Sequence, residues 1–232
     1  MENKLENNKK PEKPKKKKDS IFKYFLHDFV WGIGSVFGYI WFRPKKYYIS
    51  EAAKKKIKGG AILISNHIGF YDPVYIMISI NYRRHHFVAT KELFSSKFKK
   101  FMFEKIFLCI SIDRDGVSTG TIRKIIGELK KGSLVSMFPE GHIKVDKKDE
   151  VEAFKSGAVF MALKGGCPIV PVYIHKRKNI FRRLVTIVGE PIKVSLDGTD
   201  KPAMEYINDV TLELRKKEQE LENYYKRIVG RD

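Results

Sequence analysis

Ala61-Ile62-Leu63-Ile64-Ser65-Asn66-His67-Ile68-Gly69-Phe70-Tyr71-Asp72 is an apolar run of strand length that stops abruptly at polar side chains. Four consecutive aliphatic residues without alternation describe a strand covered on both faces, as in a parallel sheet flanked by helices. His67 then stands at a strand end, and Asp72 at the start of the helix that follows. A tight turn can bring the two together. The carboxylate would accept from one ring nitrogen, fix the tautomer and raise the basicity of the other, making His67 a general base. A merely structural turn histidine, hydrogen-bonded in the same place, is the alternative for the same residues.

Working outward, short apolar runs continue to alternate with helical stretches. Strands are expected at Ala61 to Ser65, His86 to Ala89, Cys109 to Ile112, Leu134 to Phe138, Pro168 to Ile174 and Leu184 to Val188. Helices are expected at Pro73 to Ile80, Phe94 to Lys105, Thr119 to Lys130 and Lys155 to Lys164. The alternation predicts an α/β fold with a largely parallel central sheet and helices on both faces. A last helix beginning near Lys201 sets Met204, Ile207, Val210, Leu214, Leu221 and Ile228 on one side as a packing stripe.

The chain has 232 residues, 43% of them hydrophobic and 31% charged, which suits one globular domain and excludes a polytopic membrane protein or a fibrous repeat. Its net charge of +19 implies an anionic partner: nucleic acid, a phospholipid surface or a phosphorylated substrate. Cys109 and Cys167 lie inside apolar runs without metal-ligand spacing, so two buried thiols in a reducing compartment are expected, with neither a disulfide nor a metal site.

Residues 1–20 carry eight lysines and almost no apolar side chain, the composition of a disordered basic tail. Next to it, Phe29 to Phe42 is free of formal charge and holds Trp31 and Trp41. As a helix these residues span about 21 Å, short of the roughly 30 Å hydrocarbon core. The division expected is therefore a tail at 1–20, a membrane-associating helical segment at 21–46 and the main domain at 47–232. Trp31, Tyr39 and Trp41 would sit at headgroup level, with Arg43, Lys45 and Lys46 against phosphates. A signal peptide and a buried core helix are the alternatives for this segment.

Two further apolar strands end in charge: Asp113-Arg114-Asp115-Gly116 and Phe138-Pro139-Glu140-Gly141-His142. In a parallel sheet His67, Arg114 and Glu140 share one rim, where open α/β sheets hold their ligands. Arg114 suits bidentate recognition of a phosphate, and Gly141 lets the backbone approach a ligand. A surface ion pair and a simple turn are the plain readings of the same two segments.

Taken in order, Asn66-His67 with Asp72, Asp113-Arg114, Phe138-Pro139-Glu140-Gly141 and Val170-Pro171-Val172 resemble the four motifs of the glycerolipid acyltransferases, the lysophosphatidic acid acyltransferase family. Lys91-Glu92-Leu93, and Phe154-Lys155 with Gly157-Ala158, resemble further segments of that family, and the likeness covers residues 60–195. It implies an α/β enzyme in which a His/Asp pair deprotonates an acceptor hydroxyl that attacks an acyl thioester directly. By motif position His67 would be the base and Asp72 its orienter. Arg114 and Lys91 would be phosphate ligands, and Glu140 with Gly141 part of the acceptor site. The donor implied is acyl-CoA or acyl-carrier protein, the acceptor a lysophospholipid, with no resident cofactor or metal. The place implied is the cytoplasmic face of the cell membrane, monotopic or peripheral. Gly69, Leu108, Ser111 and His142-Ile143-Lys144 depart from the family pattern beside the acceptor site, which leaves glycerol 3-phosphate or another lysolipid as alternative acceptors.

Two other classes compete for these features. A basic nucleic-acid-binding protein would explain the charge, but no finger, RNP-type or helix-turn-helix pattern accompanies it. A serine hydrolase would use Ser65 with His67 and Asp72, but no G-x-S-x-G elbow is present.

Overall fold

In the computed structural model, residues 20–113, 118–139, 148–175 and 183–229 are described. The elements in chain order are α1 (Ser20–Phe42), β1 (Lys45–Tyr48), β2 (Ala61–Ser65), α2 (Asp72–Ser79), β3 (His85–Thr90), α3 (Lys97–Phe101) and β4 (Ile110–Ile112). They continue with α4 (Thr119–Lys130), β5 (Leu134–Met137), α5 (Lys148–Gly165), β6 (Ile169–His175), β7 (Val185–Val188) and α6 (Ala203–Tyr224). The seven strands form one sheet in the order β1-β7-β6-β2-β5-β3-β4. Strands β2 to β6 run parallel, while β7 is antiparallel to β6 and carries β1 parallel to itself.

β2 is the middle strand, and all five of its residues are buried. Because side chains alternate across a strand, Ile62 and Ile64 join the core formed with α4, α5 and α6, while Ala61 and Leu63 join the core beneath α2. That division is why the run reads as continuously apolar. The chain entering β2 passes close to α4: a Cβ on Gly60 would lie 2.1 Å from the Leu129 carbonyl oxygen. Gly132, at φ +89°, ends α4 in the left-handed region, its N–H bonded to the Leu129 carbonyl at 2.9 Å.

β1 was not anticipated and contains Lys45 and Lys46, so the sheet begins two residues before the expected 46/47 division. Lysine is at home on an edge strand, where one side of the ladder faces solvent. Lys46 turns inward, donating to the Ser79 carbonyl at 2.7 Å. The helix expected over Phe94 to Lys105 is also divided. Ser96 caps α3 by accepting from the Lys99 N–H at 3.2 Å, and Met102–Ile106 forms a π turn. On α6 the stripe is shorter than expected: Ile207, Val210, Leu214 and Leu221 are buried, but Met204 and Ile228, beyond the ends of the supporting core, are exposed.

α1 ends at Arg43, which takes φ +43° before Pro44. Its inner side packs on the domain: His27 is buried with Nδ1 2.5 Å from the Ile106 carbonyl, Gly38 lies against Ile78, and Phe42 meets Tyr75 edge to face. Arg84 fastens the other end by two bonds to Asp28, at 2.7 and 2.6 Å. The outer side is apolar and open, with Phe25, Phe29, Ile33, Val36, Phe37, Ile40 and Trp41 all exposed. Among the described residues no helix is long and apolar enough to cross a membrane.

Candidate active site

At the carboxyl end of β2 the backbone continues the ladder for one more residue through a side chain. Asn66 donates from Nδ2 to the Ile174 carbonyl at 2.9 Å and accepts on Oδ1 from the Ile174 N–H at 2.8 Å. A primary amide can imitate a peptide group in this way, so the strand is extended while the main chain turns off at His67. The turn closes with the Asp72 N–H bonded to the Gly69 carbonyl at 3.2 Å, and α2 starts at once with Pro73 in its first turn.

This turn places the Asp72 carboxylate inside its own loop. Oδ2 accepts from the Ile68 and Gly69 N–H groups at 2.6 and 2.9 Å and lies 2.5 Å from His67 Nδ1. Oδ1 is buried without a hydrogen-bond partner among the described residues. With Nδ1 engaged by the carboxylate, the ring is held in the Nδ1–H tautomer and proton exchange falls to Nε2. Asp72 is fully buried, whereas the His67 side chain keeps 16% of its surface exposed, so the imidazole meets solvent and its partner does not. Phe138, directly after β5, lies beside the imidazole with ring centroids 5.0 Å apart, and is itself stacked on buried Phe87.

The strands β2, β3, β4, β5 and β6 end at the same edge, so His67, Phe138, Lys91 and Asp113 share that rim; of the three residues the sequence places there, His67, Arg114 and Glu140, His67 is the one among the described residues. Lys91 follows β3, two strand spacings or about 10 Å from β2. It is not unattended: its ammonium is paired with Asp113, which follows β4. Arg114, Glu140 and Gly141 lie outside the described residues. Lys155 is buried and paired with Glu218 across α5 and α6 at 2.5 Å, a structural tie between helices.

Ser65 is fully buried and its hydroxyl donates to the Asn66 carbonyl, which removes it as a nucleophile for the hydrolase alternative. A second Ser–His contact exists in the interior. His85 Nε2 lies 2.9 Å from the Ile80 carbonyl and Nδ1 2.9 Å from Ser136 Oγ, and complete burial pushes its pKa down to about 4. That imidazole is neutral, saturated and away from solvent. Burial likewise pushes the Cys109 thiol up to about 12 and Cys167 to about 11, so both are inert. Among the described residues no group of three or more His, Cys, Asp or Glu side chains is placed to hold a metal ion.

Sequence reasoning missed the Asn66 clamp and the ring contact of Phe138. Asn66 did carry a signal, a polar amide directly after an apolar strand. Nothing local marks its partner, 108 positions away.

A parallel sheet with an imidazole–carboxylate pair at its rim defines an α/β enzyme class. Residues 44–175, more than half of the chain, match the model of the Acyltransferase family, and the chain belongs to that family: it is an acyltransferase. The match opens one residue before β1. The chain is 30% identical over 169 residues to the 1-acyl-sn-glycerol-3-phosphate acyltransferase of Bacillus subtilis (strain 168), covering 71% of this chain and 82% of that protein. It is 24% identical over 148 residues to the protein of the same name from Borreliella burgdorferi, covering 61% of this chain and 56% of that one. The crystal structure of the 1-acyl-sn-glycerophosphate (LPA) acyltransferase PlsC from Thermotoga maritima has the same fold, with a TM-score of 0.58 at 20% identity over 89% of this chain and 87% of that one.

Proposed function

We propose that this acyltransferase moves a fatty acyl group from a thioester, acyl-CoA or acyl-carrier protein, to the free hydroxyl of lysophosphatidic acid, giving phosphatidic acid. The observation that carries the reading is the 2.5 Å contact between His67 Nδ1 and a buried Asp72 carboxylate, at a turn that leaves the imidazole in reach of solvent. Two similar proteins named for acylation of 1-acyl-sn-glycerol 3-phosphate support the choice of acceptor.

In this mechanism His67 Nε2 takes the hydroxyl proton as the acceptor oxygen attacks the thioester carbonyl carbon. Asp72 holds the ring and balances the imidazolium that forms. The tetrahedral intermediate collapses with cleavage of the C–S bond, and the departing thiolate recovers the proton from Nε2. Direct attack of this kind needs no covalent acyl-enzyme and no metal. Arg114 and Lys91 are assigned to the acceptor phosphate, Glu140 and Gly141 to the acceptor site. Lys91 can serve only by sharing its ammonium between the phosphate and Asp113. Arg114→Ala is expected to lower kcat/KM on lysophosphatidic acid by roughly 10- to 200-fold. Arg114→Lys should recover only part, since a point charge cannot reproduce the guanidinium fork.

The same reading places the protein on the cytoplasmic face of the membrane. α1 is apolar on both sides, its inner side is used by the domain, and its outer stripe from Phe25 to Trp41 is open, the pattern of a helix lying in a bilayer interface.

The test is mass spectrometry of products from a panel of lysolipids and glycerol 3-phosphate with both donors, on wild type and on His67→Ala. Phosphatidic acid from lysophosphatidic acid is expected, with turnover reduced at least about 100-fold in the variant. Near wild-type turnover by folded His67→Ala would exclude the base, and preferential acylation of glycerol 3-phosphate would replace the acceptor.

A further inference from the structure

Between β3 and β4 the chain carries five phenylalanines, Phe94, Phe98, Phe101, Phe103 and Phe107, and they sort into two sets. Phe94, Phe103 and Phe107 pack together against the core, with ring centroids 5.7 Å apart for Phe94–Phe103 and 5.9 Å for Phe103–Phe107. Phe98 and Phe101 face outward, 71% and 48% exposed, on an α3 in which every residue is exposed. Between them and beside them stand Lys97, Lys99 and Lys100. No acidic residue occurs from Leu93 to Phe103, and among the described residues no ion pair engages these three lysines. Solvated charge accounts for the lysines alone. Two projecting aromatic rings interleaved with them do not suit bulk water, and together the five side chains suit an interface that is apolar inside and anionic at its surface.

The position of α3 selects the occupant. The π turn that continues it packs on α1, through His27 and the Ile106 carbonyl, and Phe94, Phe103 and Phe107 share one core with Trp31 and Phe42 of α1, so the helix carrying Phe98 and Phe101 leads directly onto α1 in the layer on one side of the sheet. α3 therefore carries its exposed rings in the same layer as α1. The segment also begins at Lys91, on the rim that carries His67.

We propose that Lys97-Phe98-Lys99-Lys100-Phe101 is a second membrane contact, specific for anionic phospholipid. It rests on the reading of α1 as an interfacial helix and adds to it a function α1 cannot supply. A single helix lying in an interface can roll about its own axis. A second contact to one side stops the roll and holds the catalytic rim at the surface from which a lysolipid enters.

The experiment measures binding of the full chain to vesicles of phosphatidylcholine alone and of phosphatidylcholine with phosphatidylglycerol in equal parts. Replacing Lys97, Lys99 and Lys100 by Gln should weaken binding to the anionic vesicles on the order of 10- to 100-fold, with little change on the neutral ones. Phe98→Ser with Phe101→Ser should weaken both. Both variants should retain wild-type turnover on a short-chain lysophospholipid kept monomeric in solution, since neither touches the site. Wild-type affinity of the lysine variant for anionic vesicles would overturn the proposal. So would unchanged vesicle binding with a loss confined to acyl-carrier protein as donor, which would assign the patch to an acidic carrier. Loss of binding on Phe37→Ser with Ile40→Ser, while the α3 variants bind normally, would leave α1 as the anchor and remove only this inference. Failure of the wild type to bind either vesicle would remove both.

Discussion

Asn66 makes with Ile174 the two bonds that a further strand residue would make, so the main chain is free to turn only at His67. Asn66→Ala removes both and leaves the Ile174 peptide groups short of a partner, at a cost of about 1 kcal/mol for each bond. Turnover should fall about 10-fold through loss of aim at the imidazole, with the helix and sheet content unchanged by circular dichroism. Wild-type turnover would mean that Asp72 alone aims the ring. Phe138 lies beside the imidazole, its ring 5.0 Å away. Phe138→Leu keeps an apolar wall and should retain most of kcat, while Phe138→Ala opens the wall to water and should lower it. Measured side by side, equal values for the two variants would show that the ring contact is only packing. The thiols give a third check at this scale. Cys109 and Cys167, with pKa values pushed well above neutrality by burial, should resist an aqueous disulfide reagent at pH 8 until the protein unfolds.

Elements meet in this fold at positions with little tolerance. Gly60 leads into β2 against the end of α4, and a Cβ there would strike the Leu129 carbonyl oxygen, a backbone atom that cannot swing aside. Gly60→Ala should therefore cost roughly 1 to 3 kcal/mol in chemical unfolding, although the residue touches nothing at the active site. β3 contributes a pH dependence through His85. Its pKa is about 4 in the fold against 6.5 for an ordinary histidine, so below pH 6.5 the unfolded chain takes up a proton that the folded chain refuses. Stability from this source is complete above pH 6.5 and is lost as pH falls towards 4, by about 3 kcal/mol in all. Urea midpoints should drop between pH 7 and pH 5, and the drop should shrink in His85→Gln. An unchanged drop in that variant would place the titration elsewhere.

For the whole molecule, a net charge of +19 and an open apolar helix face act together but answer differently to salt. Removing residues 1–19, which hold eight lysines, should weaken binding to anionic vesicles at low ionic strength and matter little at high salt, where charges beyond a Debye length are screened. Polar substitutions on the outer stripe of α1 should remove the part that salt leaves intact. Deleting α1 outright is a poorer test, because Trp31 and Phe42 belong to the core beneath it. Recovery of the full chain in the soluble fraction at low salt would contradict the membrane reading.

The strands β2 to β7 were evident from the sequence because a sheet covered on both faces must be apolar along its whole length, and that demand is written locally. The His67–Asp72 pair was evident for a similar reason: five positions span one turn, and the chemistry of both side chains is contained within it. Other features had no such local mark. β1 is a strand because β7 offers it an edge, although Lys-Lys-Tyr-Tyr alone is not the pattern of a buried strand. Asn66 is a clamp because β6 arrives beside β2, and Phe138 lies beside the His67 ring because β5 ends next to it. α1 became part of the domain only through side chains on the domain that receive its inner face, Tyr75, Ile78 and Arg84 among them. Periodicity records how much of an element's own surface is covered. Which neighbour covers it, and which functional group that neighbour carries, is decided when the chain closes its long loops and the elements compete for each other's faces.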